Sequence, residues 1–342
     1  MKYQRRILIA ICVVLALVLV GLICAAVWVD RLLGMVDRTD PSDDETLSSE
    51  EIATMTEETD PDYTGETVLP EDIEPAVTTP TAVRSEDVVN ILLVGQDRRE
   101  GQGRQRSDAM ILCSFDTEDD TITLTSFLRD TYVYVPGYGH RKLNAAYAYG
   151  GFKLLNETLA VNFGVHVDAD VEVDFSGFTG VIDLLGGVDI TLSQAEAEYM
   201  NANGNFEYSD GSSWNLTAGV NHLTGDQALA YARIRKLDSD FGRTGRQRKV
   251  LLAMAAAVKN QKLSTLLGML DQVLPLVTTN MTDKQIIGYA TDFFPMLSGD
   301  IETQYIPAPG TYTDEYVSGL GACLIPDLEK NRQILRDILG RD

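Results

Sequence analysis

The hydrophobic pattern of the chain begins with one long apolar run. Residues 7–29 carry no charge over 23 positions, and a helix of that length, at about 1.5 Å per residue, crosses a hydrocarbon core roughly 30 Å thick. Lys2, Arg5 and Arg6 precede the run, and basic flanks of this kind stay in the cytoplasm. The pattern predicts a cytoplasmic tail at 1–6 and a transmembrane signal-anchor at 7–29. The protein is then a single-pass type II protein of the cell membrane whose remainder is extracellular.

A cleaved signal peptide is the alternative to an anchor. It is disfavoured because the apolar run is longer than a typical signal core and no clear small-x-small cleavage site follows it. The next segment differs sharply in composition, since residues 30–88 contain 18 acidic and 3 basic residues. A segment this polar cannot bury enough surface to fold. We therefore expect an acidic disordered tether at 30–87, followed by a folded extracellular domain at 88–342.

From residue 88 onward, short apolar runs alternate with amphipathic stretches. Val88–Gly95 has the pattern of a buried central strand, and 109–115 and 121–127 have the pattern of the next two strands. The remaining predicted strands are 165–173, 188–192 and 301–306, and the predicted helices are 144–163 with an interruption at the paired glycines, 175–185, 226–234, about 241–262, 262–277, 282–296 and 327–339. Residues 193–221 are predicted to form a long polar surface insertion. Thr224 and Gln227 fit a capping box at the start of helix 226–234, and the polar loop that follows predicts the end of that helix near Arg233. Arg243 and Gln247 are four positions apart, so they share a face if a helix starts near residue 241. Alternation of strands and helices predicts an α/β layered fold.

Charge adds a second pattern, because the basic residues are clustered although the formal net charge is −23. The clusters contain Arg98, Arg99, Arg104, Arg106, Arg129, Arg141, Lys142, Arg233, Arg235, Lys236, Arg243, Arg246, Arg248 and Lys249. Guanidinium groups held together repel one another unless an anion lies between them, and arginine binds phosphate oxygens bidentately. The clusters therefore predict a site for phosphate or pyrophosphate.

Acidic residues accompany these arginines at the ends of the predicted strands. Asp97 follows the first strand, Asp108 begins the second, and Asp130 follows the third together with Arg129. Open α/β sheets bind ligands at the carboxyl ends of their strands. If the carboxylates meet, they form a hard oxygen site suited to Mg²⁺ on phosphate oxygens. The alternative is that each aspartate pairs with a nearby arginine, and spacing does not decide between the two.

Other sequence features argue against several classes of function. The chain has no Walker A, GxGxxG or GxSxG motif, and its three histidines are interpreted as surface or structural residues. Residues 89–342 keep a net charge of −11, which argues against nucleic acid as a partner. Cys113 and Cys323 lie in the outer domain, where a disulfide is permitted but not demonstrated by their spacing.

Eight motifs occur in order between Asn90 and about Lys249: N-I-L-L-V-G-Q-D-R-R, R-S-D-A-M-I-L, S-F-L-R-D-T-Y-V-Y-V-P-G, K-L-N-A-A-Y-A-Y-G-G, V-D-F-S-G-F, D-L-L-G-G-V-D-I, L-T-G-D-Q-A-L-A-Y-A-R-I-R and D-F-G-R-T-G-R-Q-R. In this series the chain resembles the LytR-CpsA-Psr family of cell-wall glycopolymer ligases. The resemblance implies an α/β/α sandwich with a central mixed β-sheet. It departs from the family at Gln96, where serine or threonine is common, and at Arg248, where glutamine is common.

The resemblance also implies a reaction and its partners. Family members transfer a phospho-glycan, such as teichoic acid or capsule, from a polyprenyl-pyrophosphate carrier to the 6-hydroxyl of peptidoglycan N-acetylmuramic acid. Carried over by position, Asp97 and Asp108 are the Mg²⁺ ligands, and apolar helices near the sheet form a slot for the lipid. The implied pyrophosphate ligands are Arg106, Arg129, Arg233 and Arg235, assisted by Arg243 and Gln247.

Two alternatives to this transferase remain open at the level of sequence. One is a pyrophosphatase that uses water in place of the sugar hydroxyl. The other is a non-catalytic binder of anionic polymer or lipid that acts as a wall regulator. For the transferase, several arginines and Mg²⁺ stabilise the charge on the leaving phosphate, and Asp97, Asp108 or Asp130 accepts the hydroxyl proton.

Overall fold

A mixed β-sheet forms the centre of the structure. The computed structural model describes residues 29–39, 46–48, 52, 55, 63–73, 85–96, 104–208, 214–234, 237, 240–261 and 263–339. Its strands are β1 (Asp37–Arg38), β2 (Val88–Gln96), β3 (Ser107–Asp116), β4 (Thr121–Phe127), β5 (Tyr132–Val135), β6 (Gly139–Lys142), β7 (Ala169–Asp174), β8 (Val188–Leu192), β9 (Gly219–Leu223), β10 (Thr278–Thr279), β11 (Ile301–Ile306), β12 (Tyr312–Val317) and β13 (Gly321–Pro326).

The strand predicted to be central, β2, lies in the middle of this sheet. Within the described residues the strand order is β1-β10-β7-β2-β3-β4-β11. β2 pairs in parallel with β7 and antiparallel with β3, and β4 pairs in parallel with β11. Apolar side chains on both faces explain this placement, since a strand covered on both faces has a nearly continuous apolar sequence.

Helices cover both faces of the sheet. The described helices are α1 (Leu143–Phe163), α2 (Phe175–Leu184), α3 (Gln194–Tyr208), α4 (Gly225–Ala232), α5 (Asp240–Lys259), α6 (Leu263–Val273), α7 (Asp283–Phe293) and α8 (Leu328–Leu339). Leu92 and Leu112 pack with Leu155 of α1 and Leu335 of α8 on one face. On the other face, residues of α5 and α7 pack against β2, β3 and β4. The predicted α/β fold with a central mixed sheet is confirmed.

The strand directions bring several polar segments to one edge of the sheet. β2, β4 and β7 run the same way, and β3 runs opposite to them. The end of β2 at Gln96, the start of β3 at Ser107 and the turn that follows β4 at Arg129 therefore share an edge. Asp108, Arg129 and Asp130, which were predicted to lie at strand ends, belong to this edge.

The paired glycines interrupt α1 as predicted. Gly150 and Gly151 have non-helical backbone angles, and the φ of Gly151 is 59°, a conformation that glycine adopts without a steric penalty. The interruption leaves the carbonyl of Tyr149 available outside the helical ladder. That carbonyl accepts a hydrogen bond from the backbone N–H of Leu47 at 2.8 Å.

Two regions differ from the sequence expectation. The segment 193–221 was expected to be a polar insertion, but it contains α3 and β9, because Ala197, Met200 and Leu216 bury their side chains in a second core. β8 pairs with β9 in a separate two-stranded antiparallel sheet rather than with the central sheet. The hairpin of β12 and β13 was not predicted.

The expected tether is partly packed on the domain, which corrects the prediction of a disordered segment there. Leu32, Leu33 and Val36 are buried, and β1 pairs in parallel with β10. Farther along, Leu47, Ile52 and Met55 pack against the main core, and Val68 forms a β-bridge with Val317. Several apolar residues of this segment thus meet the domain, a property that average composition conceals.

The transmembrane prediction is not tested, since residues 1–28 lie outside the described part of the chain. Within the described part, none of the helices has the length and apolar character needed to cross a bilayer. No disulfide joins Cys113 and Cys323, which belong to different core clusters. Burial raises the pKa of the Cys113 thiol to about 12.

Pairing of β1 with β10 predicts a cross-link in the full chain. Asp37 and Thr278 are register partners, and neighbouring strands lie about 4.8 Å apart, within the range of about 4.4–6.8 Å that a disulfide spans. With Cys12 and Cys24 replaced by alanine, Asp37→Cys and Thr278→Cys are expected to form a disulfide on mild oxidation, detected by mass spectrometry of the linked peptides.

The matched control pairs Asp37→Cys with Thr303→Cys on β11, the opposite edge strand. Seven strands place that position about 29 Å away. Equal yields from the two pairs, or no link from the first, contradict the docking of β1.

Candidate functional site

An apolar cavity of about 300 Å³ lies between the sheet and helices α2, α4 and α5. Its floor comes from β2, β3 and β7, its walls come from α2, α4 and α5, and Val273 of α6 and Val277 close one side. The lining residues are Leu93, Val94, Gly95, Asp108, Ala109, Ile111, Val171, Val173, Asp174, Phe175, Phe178, Val181, Leu229, Ala232, Arg233, Arg243, Gln247, Leu251, Met254, Val273 and Val277. The lining is mostly apolar and includes a few polar side chains, a composition that is common in ligand-binding sites.

Arg129 is held at this edge by the turn that follows β4. The backbone N–H of Leu128 donates to the carbonyl of Ile306 at 2.8 Å, and the N–H of Asn144 donates to the carbonyl of Arg129 at 3.1 Å. The first turn of α1 thus uses one of its otherwise unsatisfied N–H groups to fix the arginine backbone. Only 9% of Arg129 is exposed, so its direction is set by the fold.

The Arg129 guanidinium lies between two carboxylates. Its Nη1 is 2.9 Å from Oδ1 of Asp108, and its Nε is 3.3 Å from Oδ2 of Asp130. Asp130 also pairs with Lys142 at 3.1 Å. Both aspartates therefore make the arginine pairs that the sequence left as one of two alternatives. Asp108 differs from Asp130 because it also lines the cavity.

Arg233 reaches the cavity because α4 ends where it does. The capping box predicted at Thr224 and Gln227 is present, with both reciprocal hydrogen bonds, and Arg233 is the C-terminal capping residue. Its guanidinium carbon lies 4.5 Å from the centre of the Phe175 ring, a cation–π distance. Arg235, the second arginine of this run, lies outside the described residues.

Arg243 and Gln247 share one face of α5, as their spacing of four predicted. Both line the cavity, and Arg243 is only 4% exposed. Arg106 immediately precedes β3 and is not among the lining residues. Asp97, the other expected Mg²⁺ ligand, lies outside the described residues. The structure therefore brings Asp108, Arg129, Arg233, Arg243 and Gln247 to one place.

Three contributors were missed by sequence reasoning. Phe175 supplies the ring under Arg233, and Lys142 holds Asp130 from a buried position. Asp174 lines the cavity while it caps α2, since its Oδ1 accepts from the N–H of Gly177 at 2.8 Å. The sequence did contain a signal for Asp174, because an aspartate directly before a predicted helix, here 175–185, is a typical N-cap residue.

An apolar cavity whose lining includes arginines suits a molecule that has an apolar tail and an anionic head. The sequence profile of the LytR_cpsA_psr family matches residues 48–334. The chain is also 30% identical over 264 residues to the regulatory protein MsrR of Staphylococcus aureus, covering 76% of this chain and 77% of that one. It therefore belongs to the LytR_cpsA_psr family.

Other relatives carry more specific names. A Bacillus mycoides protein named polyisoprenyl-teichoic acid–peptidoglycan teichoic acid transferase TagU is 32% identical over 252 residues, which are 72% of this chain and 77% of that protein. The crystal structure of Bacillus subtilis TagT matches with a TM-score of 0.60 and 27% identity over 79% of this chain and 99% of TagT. A TagT structure with bound octaprenyl pyrophosphate matches with a TM-score of 0.58 and 26% identity, over 81% and 100%.

The arginines that line the cavity predict stabilisation of the fold by a bound anion. A ligand that binds only the folded state at 100 times its Kd stabilises it by about 2.7 kcal/mol. Inorganic pyrophosphate is therefore expected to raise the midpoint of thermal unfolding of the full chain, and Arg243→Gln is expected to reduce that increase at the same concentration.

Arg336→Gln is the matched control, because it removes the same charge from the exposed surface of α8, where Arg336 pairs with Glu329. Its response to pyrophosphate should equal that of the wild type. An equal response from Arg243→Gln places the anion elsewhere.

Proposed function

We propose that the chain is a phosphotransferase of the bacterial cell wall. It moves a glycopolymer phosphate from a polyprenyl-pyrophosphate carrier to the 6-hydroxyl of N-acetylmuramic acid in peptidoglycan. The carrying observation is the placement of Arg233, Arg243 and Gln247 at an apolar cavity whose lining also contains Asp108. A polyprenyl chain fits the apolar part, and a pyrophosphate fits the arginines. The name of the TagU relative and the lipid bound to TagT support the same assignment.

The transfer is an attack on the phosphorus next to the glycan. The acceptor oxygen forms a new P–O bond, the P–O bond of the pyrophosphate bridge breaks, and polyprenyl phosphate leaves with the electron pair. Negative charge grows on the leaving phosphate, so fixed cations that face it lower the barrier. Arg233 and Arg243 line the cavity, and Arg129 reaches it through Asp108. In this proposal Arg106 and Arg235 complete the binding of the pyrophosphate.

The proton of the acceptor hydroxyl requires a carboxylate. Of the three candidates, Asp130 is engaged by Arg129 and Lys142 and is not among the cavity-lining residues. Asp108 lines the cavity, with its Oδ1 2.9 Å from Nη1 of Arg129. We assign the proton-accepting role to Asp108 over Asp130 because Asp108 lines the cavity; Asp97, the third candidate, lies outside the described residues.

Mg²⁺ is the proposed cofactor. The described residues include no group of three or more His, Cys, Asp or Glu side chains placed to hold a metal. Mg²⁺ does not need such a group, because it usually keeps several waters and binds one or two carboxylates together with substrate phosphates. Asp108 at the cavity fits this role, with Asp97 as its partner. When bound, the ion would neutralise charge on the phosphate oxygens.

The docked segment 29–39 supports an extracellular site close to the membrane. It follows the predicted anchor directly, and β1 contacts the sheet at β10, one residue beyond the cavity-lining Val277. A polyprenyl carrier resides in the bilayer, so a cavity near the anchor can receive its tail. Peptidoglycan then approaches from the opposite direction.

Release of polyprenyl phosphate tests the function. The full chain is incubated with a polyprenyl-pyrophosphate-linked glycopolymer, with and without peptidoglycan fragments, and release is expected to require the acceptor. Full release without acceptor would identify a pyrophosphatase, and binding of the donor without release would identify a non-catalytic binder. Asp108→Asn is expected to lower the rate about 100-fold or more, the lower range for loss of a general base. Asp314→Asn, on exposed β12, should retain the wild-type rate.

The cofactor has its own test. EDTA is expected to abolish most of the transfer, and added Mg²⁺ is expected to restore it, because a divalent ion neutralises phosphate charge that arginines alone leave. Transfer at an unchanged rate in EDTA removes Mg²⁺ from the proposal and leaves the arginine assignment standing.

A further inference from the structure

Helix α5 carries a buried arginine that has no place at the cavity. Arg246 is 2% exposed. In the sequence it lies between Arg243 and Gln247, which line the cavity. Its Nη2 donates a hydrogen bond to the backbone carbonyl of Ile234 at 2.6 Å. Ile234 follows Arg233 and precedes Arg235 in the sequence. One guanidinium therefore holds the backbone carbonyl of the residue that follows Arg233.

The other side of Arg246 faces an anchored carboxylate. Its Nη1 is 3.7 Å from Oε1 of Glu196 at the start of α3. The second oxygen of Glu196 accepts from the backbone N–H of Ser193 at 2.8 Å, and the Ser193 hydroxyl accepts from the N–H of Glu196 at 3.2 Å. This reciprocal capping box fixes the carboxylate relative to α3. Arg246 thus links three elements that are distant in sequence.

The charge of Glu196 is retained in this buried position. Burial acts to raise the pKa of Glu196, but the hydrogen bonds from Ser193 and the positive charge of Lys249 outweigh burial and lower it. The hydroxyl of Tyr231 also hydrogen-bonds to this carboxylate, and Tyr231 is a buried residue of α4. An ionised carboxylate beside a buried guanidinium offsets the desolvation of both.

The backbone needs this support because it leaves α4 at Arg233. Ile234 has no regular secondary structure, so the helical ladder no longer fixes its direction. Its side chain is buried in the same core as Met200 and Val250. Core packing fixes the side chain, and the hydrogen bond from Arg246 fixes the carbonyl and hence the rotation of the peptide. The fixed position of Ile234 in turn restrains the backbone of Arg233, its neighbour in the sequence.

We propose that Arg246, held by Glu196, is a positioning residue for the pyrophosphate site. It acts through Ile234 on the neighbouring Arg233 and does not itself contact substrate. The inference rests on the proposed function, because it assumes that Arg233 binds the pyrophosphate of a lipid carrier. Loss of Arg246 then weakens binding of the anion by misaligning its ligands.

Arg248 provides a matched control on the same helix. It is also buried, at 7% exposure. Its Nη1 donates to the carbonyl of Gln304 at 3.2 Å, and its guanidinium stacks over the Tyr305 ring at 3.8 Å. These contacts tie α5 to β11 at the far edge of the sheet. Arg248→Lys thus disturbs the packing of α5 to a similar degree without acting on the Ile234 peptide.

The first experiment measures binding of farnesyl pyrophosphate to the full chain in detergent by isothermal titration calorimetry. Arg246→Lys keeps the charge but cannot reach the carbonyl and the carboxylate with a planar fork. Binding is expected to weaken about tenfold, the consequence of losing one charge-assisted hydrogen bond. Glu196→Gln keeps the side-chain shape and should weaken binding about threefold. Arg248→Lys should bind as the wild type does.

The second experiment repeats Arg246→Lys in an Arg233→Ala background. A residue that acts through Arg233 loses part of its effect when Arg233 is absent, so the two changes should be less than additive. A merely structural role gives the same fold-loss in both backgrounds and overturns the proposal. If Arg246→Lys does not fold, Glu196→Gln is used in the same cycle and decides by the same criterion.

The outcomes separate this inference from the proposed function. A wild-type chain that fails to bind farnesyl pyrophosphate overturns both. Wild-type binding together with unchanged binding by Arg246→Lys overturns the inference alone. An equal loss in Arg248→Lys also overturns it, since any disturbance of α5 would then have the same effect.

Discussion

The structure depends on placing charged guanidinium groups beside an apolar cavity. Arg129 and Arg243 are buried, and a buried charge is strongly unfavourable unless other groups compensate it. Asp108 and Asp130 compensate Arg129, and the Phe175 ring faces Arg233. These contacts hold the arginines in place in a protein whose net charge is −23. An anionic head group at the cavity mouth would add to that compensation.

The sheet topology makes this placement possible. Because β2, β4 and β7 run in one direction and β3 runs in the other, segments far apart in the sequence meet at one edge. The face of β2 and β3 below that edge is apolar and forms the cavity floor. Helix α5 then adds Arg243 and Gln247 from above. The polar edge and the apolar cavity are thus two parts of the same sheet, as the proposed lipid-linked pyrophosphate would require.

Local sequence patterns predicted the parts of this site that depend on local structure. The alternation in 121–127 and the apolar run from Val88 identified strands, and the spacing of Arg243 and Gln247 predicted their shared helix face. The capping box at Thr224 predicted the start of α4, and the following loop predicted its end near Arg233. In each case the determining interactions are made within a few residues, so the sequence contains them directly.

Long-range contacts were not predictable in the same way. The pairing of β1 with β10 depends on a few apolar residues in an acidic segment, and composition averaged over that segment hides them. The role of Arg246 depends on the carbonyl of Ile234 and on Glu196, which is 50 positions away in the numbering. A run of arginines shows that charge is concentrated, but it does not show which arginine faces a ligand and which supports the backbone. Only the packing of α3, α4 and α5 separates these roles.

The most direct test of this account is a crystal structure of the chain bound to a polyprenyl pyrophosphate. The account predicts electron density for the prenyl tail in the cavity between β2, α2 and α5, with the pyrophosphate in contact with Arg129, Arg233 and Arg243. A pyrophosphate bound away from these three arginines, or a tail outside the cavity, would contradict it.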